Sequence, residues 1–263
     1  MSGSEATETG AGPVVVLVHG WGMTAHVFLP LMRELRGHYR LIAPDLAGHG
    51  ARKEAPGPYT FQRYGEEIAA LVEKLGLSSF HLLGWSMGGT IAARYCLEGW
   101  GPKPESLILL SAPARFMDGL GLGQSPASVR KMERLMAADH VLGLRGFIYQ
   151  LFETGEAVVE REKDEIMAYM LTDHFPPSRE ALRDTLRELA TTDVTALAGT
   201  YAGRVLLIHG SLDKICPDRG QTLWQACFGS LEQAKLEGAG HAPHLTRPRE
   251  VARIVADFLG RAG

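Results

Sequence analysis

Six short runs rich in Val, Ile and Leu, at 14–19, 41–45, 80–84, 107–111, 205–210 and 231–236, are separated by longer stretches with helical periodicity. Strands that alternate with helices imply βαβ units. Strands that are apolar at consecutive positions imply burial on both faces, so the chain is predicted to form a largely parallel sheet covered by helices. Within 64–75, Ile68, Leu71, Val72 and Leu75 fall on one helical face; 87–98 carries Ile91 and Tyr95 at helical spacing; 250–259 groups Val251, Ile254, Val255 and Phe258. The expected fold class is α/β, a mostly parallel, doubly wound sheet.

The alternation stops between 113 and 190, where no strand pattern stands out and Gly121, Gly123 and Pro176-Pro177 punctuate a helical one. The predicted organisation is a loose polar tail over 1–13, one α/β core made of 14–112 and 191–263, and a helical cap inserted over 113–190. With 263 residues, 45% of them apolar, the chain is long enough for one substantial core. Lys and Arg number 27 against 30 Asp and Glu, a net charge of −3 without a basic block, which argues against a nucleic-acid binder. Cys96, Cys216 and Cys227 are odd in number and lack CxxC spacing, so neither a disulfide framework nor a zinc site is expected. The first dozen residues lack the charged and apolar regions of a signal peptide, and apolar runs such as 14–18 fall far short of a membrane span. A cytoplasmic protein without membrane contact is expected.

Chemistry concentrates at strand ends. Ser86 lies in Gly84-Trp85-Ser86-Met87-Gly88, directly after the 80–84 run and directly before a helix. This is the G-x-S-x-G pattern, in which a sharp turn exposes a serine hydroxyl and the glycines allow strand and helix backbones to approach. The pattern alone is common enough to occur by chance, and a serine in a plain Gly-rich turn is the competing interpretation. A serine nucleophile needs a base, and the base needs an orienting acid. His241 follows the last strand run in Gly238-Ala239-Gly240-His241-Ala242-Pro243, and Asp213 follows the preceding one in His209-Gly210-Ser211-Leu212-Asp213. The order Ser86, Asp213, His241 is that of α/β-hydrolases, and all three positions lie beyond carboxyl ends of strands. Asp45 is the rival acid, but it precedes the serine in Asp45-Leu46-Ala47-Gly48-His49-Gly50, where turn stabilisation is expected; Ser111-Ala112-Pro113 offers no carboxylate. His81 and His209, on strand runs, are expected to be packed core residues. His241 and His244 are spaced like a metal pair, but no third ligand lies nearby and no metal is expected. For the oxyanion, the backbone N–H of Met87 and that of Trp21, in His19-Gly20-Trp21-Gly22, are the candidate donors.

The ordered set HGWG, GWSMGG, HGSLD and GAGHAP resembles the α/β-hydrolase superfamily over nearly the whole chain. Within it, Gly20-Trp21-Gly22, Gly84-Trp85-Ser86, Thr192-Asp193-Val194 and Ala242-Pro243 are most similar to the pimeloyl-[acyl-carrier protein] methyl ester carboxylesterases of biotin synthesis. The resemblance implies an α/β-hydrolase fold with a helical cap after the sixth-strand position. It also implies a triad of Ser86, Asp213 and His241, an oxyanion N–H at Trp21, and an acyl ester as substrate. Two departures stand out: Arg52 replaces the serine of a D-x-x-G-x-G-x-S segment, and His244 occupies a position expected to be apolar.

The predicted function is a cofactor-independent serine carboxylester hydrolase acting on an acyl methyl ester carried by an acidic acyl-carrier protein. Among the apolar residues of 113–190, most of which are expected to pack the cap, Phe147 and Phe152 join Trp21 as candidate substrate contacts. Met167 and Met170 belong to the same set. Arg130 and Arg134, four apart on one helix face, are candidate docking residues for the carrier, against the alternative of a solvated face. The rival functions are a broad small-ester esterase, a C–C bond hydrolase of ring-cleavage products, and, outside enzymes, a ligand receptor on the same fold. A haloalkane dehalogenase is disfavoured because its elbow nucleophile is Asp.

Overall fold

The structure, a computed structural model, describes residues 6–152, 176–197 and 199–261. Its sheet contains β1 (Ala6–Thr9), β2 (Val14–Val18), β3 (Arg40–Pro44), β4 (His81–Trp85), β5 (Ser106–Leu110), β6 (Arg204–Gly210) and β7 (Leu231–Leu236). Their order is β1-β3-β2-β4-β5-β6-β7, with β1 antiparallel to β3 and every other pair parallel. The strands richest in Val, Leu and Ile lie inside the sheet: β5 is buried at all five positions and β2 at four of five. Each of the six runs seen in the sequence is a strand, displaced by at most one residue at an end.

The helices are α1 (Leu29–Leu35), α2 (Phe61–Lys74), α3 (Met87–Glu98), α4 (Pro126–Ala138), α5 (His140–Tyr149), α6 (Arg179–Thr191), α7 (Pro243–Thr246) and α8 (Pro248–Leu259). Thr60 caps α2 by accepting from Arg63 N–H, and Phe61, Tyr64, Ile68 and Val72 form its buried face. α3 is buried nearly all round and ends at Gly99 in the left-handed conformation. α1 packs against α8, and α2 against α3. α4, α5 and α6 follow β5, the fifth strand in this count, and form the helical cap; Asp139 caps α5 by accepting from Val141 and Leu142, and Ser178 caps α6 through Ala181. The chain enters and leaves the cap side by side. Val194 N–H donates to the Ala114 carbonyl at 2.9 Å, and Arg115 Nη2 pairs with Asp193 Oδ2 at 2.6 Å. The Thr192-Asp193-Val194 segment therefore fastens the second end of the cap to the first. Candidate contacts Met167 and Met170 lie outside the described residues.

One expectation is corrected. Residues 6–9 are an edge strand rather than part of a loose tail, paired with β3 from Ala6 opposite Pro44 to Thr9 opposite Leu41. An edge strand needs apolar residues on neither face when its partner supplies the backbone bonds, so the polar sequence Ala-Thr-Glu-Thr carries no strand signal of its own. Glu8 adds an ion pair with Arg40 at 2.7 Å. Among the described residues no helix is long and apolar enough to cross a membrane.

Candidate active site

The turn between β4 and α3 places Ser86 at φ 54° and ψ −123°, a left-handed conformation costly for a residue with a side chain. The surroundings hold it there. Ser86 N–H donates to the Leu110 carbonyl of β5 at 2.9 Å, while the Ser86 carbonyl accepts from Gly89 and Thr90. A Cβ at Gly84 would run into the Gly88 carbonyl, and one at Gly88 into the Val18 carbonyl, so both flanking glycines are required by close backbone approach. As the first residue of α3, Met87 has an N–H that no preceding helical turn can accept.

His241 Nε2 lies 2.9 Å from Ser86 Oγ, and His241 Nδ1 lies 2.7 Å from Asp213 Oδ2. A carboxylate only accepts, so Nδ1 carries the proton and Nε2 presents its lone pair to the serine hydroxyl. Asp213 is held from behind: its Oδ1 accepts from Ile215 N–H at 2.9 Å and Cys216 N–H at 2.8 Å. The backbone of His241 is fixed on both sides, its carbonyl accepting from Trp85 Nε1 at 2.9 Å and its N–H donating to the Leu151 carbonyl of the cap at 2.9 Å. Asp213 and His241 are buried, and Ser86 is 7% exposed.

Asp213, Cys216 and His241 are also near enough to one another to share a metal ion. The bonding is unfavourable for that use. Both Asp213 oxygens are engaged, and burial, reinforced by Asp213, pushes the Cys216 thiol well above its ordinary range, where it keeps its proton. His244 packs between Trp85 and Phe28, at ring separations of 4.6 and 5.5 Å. Burial, followed by the nearby His241, lowers its pKa to about 3. Asp45 serves the fold: its Oδ1 accepts from Ala25 N–H at 2.7 Å and its Oδ2 from Ala51 N–H at 2.8 Å, tying two loops together. Arg52, the residue in place of the expected serine, adds to that tie by donating to the Asp45 carbonyl at 3.3 Å and to Glu67 Oε2 at 2.7 Å.

The turn after β2 lies against the elbow. A Cβ on Gly20 would sit 3.2 Å from Ser86 Cβ, and Met23 N–H closes the turn on the Gly20 carbonyl at 3.2 Å. The Trp21 side chain points to the cap, donating from Nε1 to the Leu182 carbonyl at 3.0 Å and meeting Phe147 edge-on at 5.0 Å between centroids. Gly22 has φ 71°, and a Cβ there would press on Leu144 and Leu182. Trp21 and Phe147 are thus in contact, while Phe152 is buried just past the turn of Gln150 and Leu151 that ends α5. Arg130 and Arg134 are exposed on α4. Arg134 also lines a cleft of about 590 Å³ between α4 and α6, together with Arg179, Arg183 and Arg187.

Three site contacts lie outside what the sequence analysis identified. His209, on β6, is buried with its Nε2 3.7 Å from Asp213 Oδ2 in the turn that follows, a contact the strand and loop pattern does not reveal. The cap carbonyls of Leu151 and Leu182 grip His241 and Trp21, and main-chain acceptors leave no trace in sequence.

The profile of a broad alpha/beta hydrolase family matches residues 15–254. The chain is 29% identical over 258 residues to the pimeloyl-[acyl-carrier protein] methyl ester esterase of Aeromonas salmonicida, spanning 95% of this chain and 97% of that protein. It is also 29% identical over 253 residues to the enzyme of the same name from Xanthomonas campestris, spanning 95% and 96%. Among solved structures, an esterase from Exiguobacterium antarcticum superposes with a TM-score of 0.85 at 23% identity, covering 97% of this chain and 95% of the other. The enol-lactonase of Burkholderia xenovorans LB400 superposes at 0.84 and 21%, covering 97% and 96%. These two likenesses establish the fold.

Proposed function

The chain belongs to the alpha/beta hydrolase family, and from that premise we propose that it is a serine carboxylester hydrolase working through an acyl-enzyme on Ser86. The observation that carries this reading is the continuous chain of contacts from Ser86 Oγ to His241 Nε2 at 2.9 Å and from His241 Nδ1 to Asp213 Oδ2 at 2.7 Å. Ser86 Oγ attacks the ester carbonyl and gives its proton to His241 Nε2, while Asp213 orients the ring and stabilises the imidazolium. The carbonyl oxygen becomes an oxyanion that the backbone N–H groups of Met87 and Trp21 meet. Collapse expels the alcohol, which takes the proton from Nε2. Water then gives its own proton to His241 and attacks the acyl carbon, and the acid leaves as Ser86 recovers its proton.

The substrate in this reading is an acyl methyl ester borne by an acyl-carrier protein, supported by the names of the two relatives above. Trp21, Phe147 and Phe152 contact the acyl chain, and Arg130 and Arg134 receive the acidic carrier. Cys96, Cys216 and Cys227 are all free thiols, which suits a reducing cytoplasm.

Two experiments test the two levels separately. Ser86→Ala should reduce hydrolysis of p-nitrophenyl butyrate to a few per cent of wild type or less, with an unchanged circular dichroism spectrum. Retention of the wild-type rate removes Ser86 from the chemistry. Restored growth of a biotin auxotroph that lacks its esterase supports the carrier-borne substrate; turnover of small esters without restored growth points instead to a broad small-ester esterase.

A further inference from the structure

We propose that His19 is a positioning residue for the oxyanion site, holding the Gly20–Trp21 peptide so that the Trp21 N–H faces Ser86. The inference rests on the reading of Trp21 N–H as an oxyanion donor. The C=O of Gly20 and the N–H of Trp21 belong to one planar peptide and point in opposite directions, so whatever holds the carbonyl aims the N–H. Two donors hold it. The Gly20 carbonyl is 2.9 Å from His19 Nδ1 and accepts from Met23 N–H at 3.2 Å. Gly20 itself lies against Trp85 and Ser86, close enough that a Cβ would touch both.

The bond to His19 requires a particular tautomer, and the structure supplies a reason for it. His19 Nε2 accepts from Leu46 N–H at 3.0 Å. A backbone N–H can only donate, so Nε2 is bare and the single proton of the neutral ring sits on Nδ1, where it faces the Gly20 carbonyl. The ring stays neutral because it is fully buried, and burial lowers its pKa to about 4 in spite of the Gly20 carbonyl. His49 stands 5.1 Å away at an inclination of 57°, its own Nδ1 lying 3.1 Å from the Ala47 carbonyl. Burial, with His19 as the second cause, lowers the His49 pKa to about 3, so this neighbour brings no charge to the pair. Leu46 belongs to the loop that Asp45 fastens through Ala25 and Ala51. The position of the Trp21 N–H is thereby referred to the loop after β3.

His19→Leu removes the donor, whereas His19→Asn returns an amide N–H near the position of Nδ1. Loss of one oxyanion donor typically costs about 10²- to 10³-fold in kcat. His19→Leu is therefore expected to lose roughly tenfold to a thousandfold in kcat with KM changed by less than about threefold, and to bind a boronic acid inhibitor correspondingly more weakly. His19→Asn should recover to within about tenfold of wild type. A folded His19→Leu protein with unchanged kcat and boronate affinity overturns the proposal, as does equal loss in folded Leu and Asn variants. If His19→Leu does not fold, the ¹⁵N spectrum of histidine-labelled wild-type protein decides: a proton on His19 Nδ1 upholds the role and a proton on Nε2 ends it. That spectrum is independent of turnover. Failure of the hydrolase reading itself would show separately, as Ser86→Ala protein that keeps its activity.

Discussion

Asp213 and Asp45 look alike in sequence, each an aspartate just past a strand, and each accepts two backbone N–H groups. The difference lies in how the oxygens are used. Asp45 spends one oxygen on Ala25 and the other on Ala51, whereas Asp213 directs Ile215 and Cys216 to a single oxygen and leaves Oδ2 for His241. Asp213→Asn keeps the shape but places an amide N–H within reach of His241 Nδ1, favouring the tautomer with its proton on Nε2. The expected loss is on the order of 10⁴ in kcat, with little change in fold. Asp45→Asn should lower thermal stability while the folded fraction, counted by active-site titration, keeps kcat to within a few-fold. A greater kcat loss in Asp45→Asn than in Asp213→Asn would reverse the assignment of the acid. The sequence could rank these two aspartates by their order along the chain, but the allocation of oxygens depends on loop geometry that no motif encodes.

At the scale of elements, legibility followed burial. β5, buried at every position, and β2, buried at four of five, announce themselves as unbroken apolar runs. β1 is made of polar and small residues and exists because β3 offers it an open edge, so its signal lies in the partner. The cap helices were legible as helical, and their N-caps Ser125, Asp139 and Ser178 are ordinary capping residues. Their arrangement was not legible: the cleft between α4 and α6 groups Arg134 with three arginines spaced four apart on α6, a charge offset by Glu133 and Glu180 in the same lining and by Asp184, which pairs with Arg183 at 2.8 Å. Exposed pairs contribute only about 0.2 to 1 kcal/mol each, but several like charges steer association and are screened by salt. Reversing Arg130 and Arg134 together to Glu should lower kcat/KM toward a carrier-bound methyl ester several-fold and weaken its dependence on salt, while a short free ester is hydrolysed at the wild-type rate. Equal losses on both substrates would assign these arginines to cap support, and no loss on either would favour a small-molecule esterase.

For the molecule as a whole, buried histidines set a limit on the acid side. Burial, the largest cause in each case, holds His19 at about 4 and His49 and His244 at about 3. In the unfolded chain each would titrate near 6.5. Between those values the unfolded state binds protons that the native state refuses, so stability falls as pH drops from about 6.5 toward 4, on the order of 1 kcal/mol per pH unit for each ring. Three such rings are significant against a total of about 5 to 15 kcal/mol. The melting temperature should fall by about 10 °C or more between pH 7 and pH 5. His244→Phe should flatten that slope by roughly a third, since among the described residues neither nitrogen of His244 has a hydrogen-bond partner and the ring already packs on Trp85 and Phe28. A Tm independent of pH over this range would mean that these rings titrate in the native state as they do in the unfolded chain. The bonds that join cap and core have a different use. The amide hydrogen of His241 rests on the Leu151 carbonyl of the cap, whereas that of Ser86 rests on Leu110 within the sheet. Lifting the cap would free the first and leave the second protected, so the lag between deuterium uptake at His241 and at Ser86 is a clock for cap opening, readable in protein that has never met a substrate.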